Sequence, residues 1–265
     1  MEGALVTDHA ETTQTSDLMT GELPTTPRQA LGGIAWLGAV PAKTLDRLAA
    51  HAVLHRMPAG SMLFEQAETP AFQLCLVSGS VEMLGVRGAD ETLIELVRAP
   101  DLLLPAAVLN RQPYLQRARV LDEALLVMIQ ADTFRAAIAG DHALCLAVLA
   151  CEAAHFRRQV KHAKNIKLRS AEERAGCYFL KMAEPIGAGG SFRLPLEKRL
   201  IASQLGMTRE TFSRTLSTVA RHGLRVDGDT VFIDDIDAAR IRYQLDPLVD
   251  GPEAVIPLPL NRTWT

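Results

Sequence analysis

Aromatic residues are scarce in this chain of 265 residues, only 5% of the total, and no uncharged apolar run reaches the roughly 18–20 residues that a bilayer-spanning helix needs. The four cysteines, Cys75, Cys145, Cys151 and Cys177, show no C-x-x-C spacing. That disfavours a zinc ribbon, a thioredoxin motif and a disulfide framework, and buried free thiols are the simplest reading. No histidine lies between His55 and His142, so no metal-ligand set is expected within that stretch. Residues 1–26 carry Glu2, Asp8, Glu11, Asp17 and Glu22, no base and no apolar core segment, unlike a signal or transit peptide. A cytoplasmic location without membrane contact is therefore expected. What remains, 48% apolar and 22% charged, is a globular composition long enough for two modest domains.

An excess of positive charge is also lacking overall, since the formal net charge is -3. The local distribution says more. Residues 1–30 hold five acids against Arg28 alone, among many threonines, and read as a disordered leader. Residues 154–169 contain six bases (Arg157, Arg158, Lys161, Lys164, Lys167, Arg169) and no acid, and residues 191–225 contain seven bases against Glu197 and Glu210. The C-terminal half thus offers a positive surface to a polyanion.

Along the chain, Ile34, Trp36, Leu37, Leu45 and Leu48 fit short helices, with Pro41 placed to open the second. Residues 53–130 then read as short apolar stretches (62–64, 72–77, 81–86, 92–97, 102–109, 118–121 and 125–129) cut by turn residues such as Gly60, Gly79, Gly88 and Pro113. This rhythm predicts an antiparallel roll or barrel. A helical pattern follows over 132–167, with a candidate break at Gly140. Within it Leu146, Leu149, Ala153, Phe156, Val160 and Ala163 recur at alternating steps of three and four, the seam that two helices bury against each other. They are the candidate dimerisation residues; one amphipathic helix lying on its own barrel is the alternative. Ser170-Ala171-Glu172-Glu173 has the form of a capping box opening a second domain.

Residues 196–223 read LEKRLIASQLGMTRETFSRTLSTVARHG. Two helical patterns meet at Leu205-Gly206-Met207, a turn of helix-turn-helix length. Gly206 suits a left-handed turn and Ala202 permits a close crossing, while Ile201, Leu205, Met207 and Phe212 supply the core. Thr208 is placed to cap the second helix. Its first turns carry Arg209, Glu210, Ser213 and Arg214, polar side chains suited to base edges and phosphates; Thr208, Arg209, Glu210, Ser213 and Arg214 are the candidate DNA-binding residues. The competing reading of Glu210 and Arg214 is a solvated pair four residues apart, worth about 0.2–0.5 kcal/mol. Residues 224–226 and 230–233 flank Asp227-Gly228-Asp229 as a hairpin or wing. A closing helix is expected over 235–245 and an extended tail, with Pro247, Pro252, Pro257 and Pro259, thereafter.

With its glycine-punctuated roll, long helix and R-E-T-x-S-R segment, the chain resembles the Crp/Fnr family of bacterial transcription regulators over about residues 32–245. Glu210, Ser213 and Arg214 are similar to the recognition helix of the Fnr-like branch, whose half-sites resemble TTGAT. The resemblance implies an α+β fold: a leader (1–30), a cyclic-nucleotide-binding-like β-roll (31–135), a dimerisation helix (136–169), a winged helix-turn-helix (170–245) and a flexible tail (246–265). It implies double-stranded DNA, a second copy of the chain and RNA polymerase as partners, and no enzymatic activity. In the roll, Val77-Ser78-Gly79 stands where a turn belongs and Pro100-Asp101 resembles the family's P-G-D turn without its glycine. Leu104-Pro105 occupies the place of the G-E pair that binds cyclic nucleotides, and Gln116-Arg117 stands near the Arg-Ser place, which disfavours a cyclic nucleotide. No cysteine precedes Cys75, which disfavours an iron–sulfur cluster. His51, His55, His155 and His162 leave haem ligation open, and the effector is not legible. The alternative to a regulator is a metal-dependent enzyme on a cupin-like roll, for which the ligands are missing.

Overall fold

The computed structural model describes residues 23–252. The first described element is α1 (Pro27–Gly32), where Thr26 accepts a hydrogen bond from the Gln29 N–H and Pro27 opens the helix. Ala30 and Leu31 are buried, so residues 27–30, expected to lie in a disordered leader, are helical and packed instead. Residues 1–22 of that leader lie outside the described ones. A single 3₁₀ turn at Ala35–Leu37 leads to α2 (Ala42–Ala50), which begins directly after Pro41 as expected.

The roll comprises β1 (Ala52–Met57), β2 (Met62–Phe64), β3 (Phe72–Arg87), β4 (Asp90–Arg98), β5 (Asp101–Leu103) and β6 (Arg117–Gln130). Its strands pair antiparallel in the order β1-β6-β3-β4, with β2 on β6 and β5 on β3. β3 and β6 run unbroken through places that read as turns in the sequence. At Gly79, φ is +87° and a Cβ would lie 2.4 Å from the Glu123 carbonyl oxygen. The ladder shifts register between Leu76 and Val81. Gly79 thus makes a bulge that bends two long strands together and ends neither. The stretch 102–109 is also not one strand, because Pro105 opens α3 (Pro105–Asn110) after β5.

The helical pattern over 132–167 is two helices, α4 (Ala131–Gly140) and α5 (His142–Leu168), bent by 113° at the break. Asp141 is extended and caps α5 by accepting from the Leu144 N–H at 2.9 Å, while the Thr44 hydroxyl donates to its other oxygen. The long helix therefore begins at 142 and not at 136. Leu144, Ala147, Val148 and Cys151 form the face that packs on α2, α4 and the roll, in one core with Leu45, Leu48, Phe134 and Ile129.

The second unit opens at α6 (Ala171–Ala183) with both arms of the capping box formed, Glu173 N–H to Ser170 Oγ and Ser170 N–H to Glu173 Oε2. Next come β7 (Ser191–Arg193), α7 (Lys198–Gln204), α8 (Arg209–Ala220), β8 (Leu224–Asp227), β9 (Thr230–Ile233) and α9 (Ile236–Arg242). Phe179, Leu180, Ile201, Phe212, Val231 and Tyr243 share its core. β7 was not legible as a strand; it adds a third strand to the wing, in the order β7-β9-β8.

The beginning of the expected flexible tail is ordered. Residues 247–250 form α10 (Pro247–Asp250), and Asp250 pairs with Arg169 at the end of α5 at 2.6 Å. Lys161 donates to the carbonyls of Gly251 and Pro252. Residues 253–265 of that tail lie outside the described ones. Among the described residues no single helix is long and apolar enough to cross a membrane.

Candidate nucleic-acid interface

The C-terminal unit is built to present α8. Leu205 ends α7, and Gly206, at φ +63°, turns the chain so that the Met207 N–H bonds the Ala202 carbonyl at 2.8 Å. Ala202 is buried at the crossing and Phe212 and Val219 point into the core. Arg174 of α6 holds the turn from below, donating to the carbonyls of Leu205 and Arg169. The Thr208 hydroxyl accepts from the Thr211 N–H at 3.2 Å and starts α8.

Of the residues singled out in the sequence, Thr208, Arg209, Glu210, Ser213 and Arg214 are all exposed. They share the outer face of the first turns of α8, opposite Phe212 and Thr215. The Glu210 carboxyl is held below its ordinary value by its own backbone N–H and the Thr208 hydroxyl, with Arg209 and Arg214 adding to the effect. It is therefore a ready acceptor at neutral pH. A groove of about 510 Å³ runs beside this face, lined by Lys198, Arg199, Arg209, Phe212 and Ser213 among others. On the wing, Arg225 lies 4.6 Å from the centre of the Phe232 ring and pairs with Asp234. Gly228 forms the tip at φ +55°. The surface can thus offer guanidinium forks, a carboxylate and hydroxyls to base edges, with flanking cations for phosphates.

The helix-turn-helix also touches its own roll. The Ser203 Oγ accepts from the Leu93 N–H at 2.8 Å, and Leu200 packs on Leu84 and Leu93. A cavity of about 300 Å³ at this junction is lined by Glu82, Glu91 and Arg119 of the roll and by Thr208 and Arg209 of the reading head.

On α5 the candidate dimerisation residues form one stripe facing away from the roll. Leu149, Ala153, Phe156, Val160 and Ala163 are exposed and Leu146 half-buried. Phe156 reaches 70% exposure, Leu149 54% and Val160 43%.

The roll's interior differs from what the histidines suggested. His51 and His55 are exposed at β1. His162 is half-buried, and burial lowers its pKa. His155 instead meets Asp101 of β5 and Cys151. The sequence reading missed this cluster, although Cys151 and His155, four apart on one helix, were a visible half of it. Arg117 is engaged by Glu65 at 2.7 Å and by Glu91, and Leu104, at φ +45°, caps α3.

Two domain families match: a cyclic nucleotide-binding domain over residues 54–141 and a Crp-like helix-turn-helix domain over residues 173–238. The chain is 27% identical over 188 residues to the nitrogen fixation regulation protein FixK of Azorhizobium caulinodans, covering 69% of this chain and 74% of that protein. The chain belongs to the Crp/Fnr family. Its fold is that of FixK2 from Bradyrhizobium japonicum (TM-score 0.58, 18% identity, 74% of this chain and 98% of that one). It is likewise that of a CooA variant from Carboxydothermus hydrogenoformans (TM-score 0.59, 16% identity, 73% and 88%). As a Crp/Fnr protein it is a DNA-binding transcription regulator, and the curated relative it matches is a regulation protein, not an enzyme.

Proposed function

We propose that this Crp/Fnr regulator acts in the cytoplasm as a homodimer. Two α8 helices enter successive major grooves of a two-fold site, and Thr208, Arg209, Glu210, Ser213 and Arg214 read TTGAT-like half-sites. The observation that carries this reading is the shared exposure of these five residues at the N-terminal end of α8, the end that meets base edges in this motif. Arg214 donates to guanine N7 and O6, Glu210 accepts from a cytosine amine or orders Arg214, and Thr208, Arg209 and Ser213 fix the register on phosphates. The stripe from Leu146 to Ala163 packs against its copy, a use supported by its exposure on a helix whose other face is already buried. Boundaries follow from these roles: the roll up to α4, α5 as the dimer helix, and the winged unit from α6 to α9. Contact with RNA polymerase belongs to the same reading.

Control by an effector enters through the roll. The β4 strand touches α7 directly, so a ligand with different affinity for two arrangements of the roll shifts the reading head with it. The test is a fluorescence titration of a TTGAT palindrome and a scrambled duplex. Arg214→Ala is expected to cost about 1–3 kcal/mol of specific binding while leaving the scrambled duplex nearly unaffected. Equal affinity of the native protein for both duplexes refutes base reading by α8.

A further inference from the structure

Asp101, Cys151 and His155 come from two elements and converge at one point between the roll and α5. The Cys151 Sγ lies 3.2 Å from Asp101 Oδ1 and 3.5 Å from His155 Nε2, and His155 Nε2 lies 2.7 Å from the same carboxylate oxygen. All three donor atoms fall within 4.8 Å of one another. Asp101 and Cys151 are buried and His155 is half-buried. We propose that this triad is a binding site for a divalent transition-metal ion of the zinc type, held by Sγ, Nε2 and Oδ1, with a fourth position for water. The site stands independently of how α8 reads DNA.

The donor chemistry selects the class of ion. Thiolate plus imidazole plus one carboxylate suits zinc, cobalt or ferrous iron and is wrong for magnesium or calcium, which take oxygen ligands. Metal–ligand bonds of about 2.0–2.3 Å set tetrahedral edges of about 3.3–3.6 Å. The two sulfur separations are already within a few tenths of an ångström of that. The Nε2–Oδ1 pair must open by about half an ångström, as it will when the hydrogen bond between them is replaced by an ion. Cys151 and His155 lie one turn apart on the same face of α5, so the helix itself sets their spacing.

The surroundings supply what such a centre needs. Arg158 Nη2 donates to the other oxygen of Asp101 at 2.9 Å, which leaves Oδ1 to face the ion and fixes the carboxylate plane. The Leu102 N–H donates to Oδ1 as well, at 2.8 Å. Arg158 is itself neutralised by Glu95 at 2.8 Å, and Glu152 lies near enough to Cys151 to act on its thiol. The carboxylates of Asp101, Glu95 and Glu152 thus gather around Arg158 and the thiol. Entry of an M²⁺ ion displaces the thiol proton to solvent and forms an S–M bond. The proton through which His155 Nε2 meets Asp101 Oδ1 must also leave that nitrogen, so that the imidazole in the bound form is neutral with its proton on Nδ1. The ion stabilises a thiolate that burial otherwise disfavours.

The experiment uses the full chain, stripped with a chelator, kept reduced with a phosphine and titrated with Co²⁺. Native protein is expected to develop a near-ultraviolet thiolate-to-cobalt band and visible bands of tetrahedral type, saturating at one equivalent, with the thiol proton released on binding. Zn²⁺ should displace the colour. Cys151→Ala and His155→Gln should abolish the band or weaken Co²⁺ binding by at least about a hundredfold, whereas Cys145→Ser should leave it intact. Absence of the band in native protein overturns the proposal whatever the variants do. So does a band that survives in Cys151→Ala, since the thiolate would then be another.

Discussion

Asp250 sits on a short helix yet holds the end of the longest one. Its two oxygens meet the two terminal nitrogens of Arg169 at 2.8 and 2.6 Å. Burial alone would push this carboxyl up, but the hydrogen bonds from Arg169 and the Asp246 N–H, with the Arg169 charge, bring it below its ordinary value. A carboxyl lowered in the folded state contributes stability that is present above its unfolded value, about 3.9, and is lost as pH falls through the lower folded value. Thermal melts should therefore show Asp250→Asn less stable than the native chain at pH 7, with the difference closing below about pH 4. A difference that stays constant over that range would mean that the carboxylate charge contributes nothing. No local pattern reveals such a partner, because Arg169 and Asp250 are 81 residues apart. The same holds for Asp101, 50 residues from the Cys151 it touches. By contrast the turn at Gly206, the cap at Thr208 and the outward face carrying Arg209, Glu210, Ser213 and Arg214 were legible as local structure, since they follow from neighbours one or two turns away.

Among the elements, α5 shows most directly how one sequence serves two surfaces. Leu144, Ala147, Val148 and Cys151 face the molecule's own core, while the stripe through Leu149, Phe156 and Val160 faces outward. In the proposed two-fold seam, Phe156→Glu would replace an apolar contact by a carboxylate from each copy, which must be desolvated for the helices to pack. Sedimentation is expected to show a shift from dimer to monomer, with helical content unchanged, and DNA affinity should fall in parallel. A variant that remains dimeric would remove the stripe from the interface. The break expected at Gly140 is there, but the dimerisation helix was begun too early, at 136, because the apolar spacing continues from α4 into α5 across it. Periodicity reports the buried face of each helix but not the corner between them, which Asp141 and Thr44 make through a contact 97 residues apart in sequence. The roll's long strands were cut in two for a related reason. Gly79 looks like a turn residue, and only the close approach of the Glu123–Ala124 backbone across the sheet, where the register shifts, makes it a bulge.

In the whole molecule the reading head is docked on its own roll, with the Thr208 and Arg209 end of α8 beside a cavity that Glu82 and Glu91 also line. The roll thus stands against the end of α8 that a duplex would have to reach, so this arrangement should bind DNA more weakly than one in which the contact is open. The Thr92 and Ser203 hydroxyl oxygens lie 3.4 Å apart across it. A Thr92→Cys, Ser203→Cys double variant should close a disulfide on mild oxidation, lower DNA affinity at least tenfold, and recover on reduction. If the oxidised protein binds as tightly as the reduced one, the docked arrangement is already competent. The corner at Asp141 bears on the same question. Because Thr44 and the Leu144 N–H pin the start of α5, that helix behaves as a lever with its fulcrum at one end. Its 27 residues span roughly 40 Å. A tilt of about 5° at the fulcrum, too small to disturb the packing of Leu144, would carry the far end sideways by roughly 3 Å, about the length of a hydrogen bond.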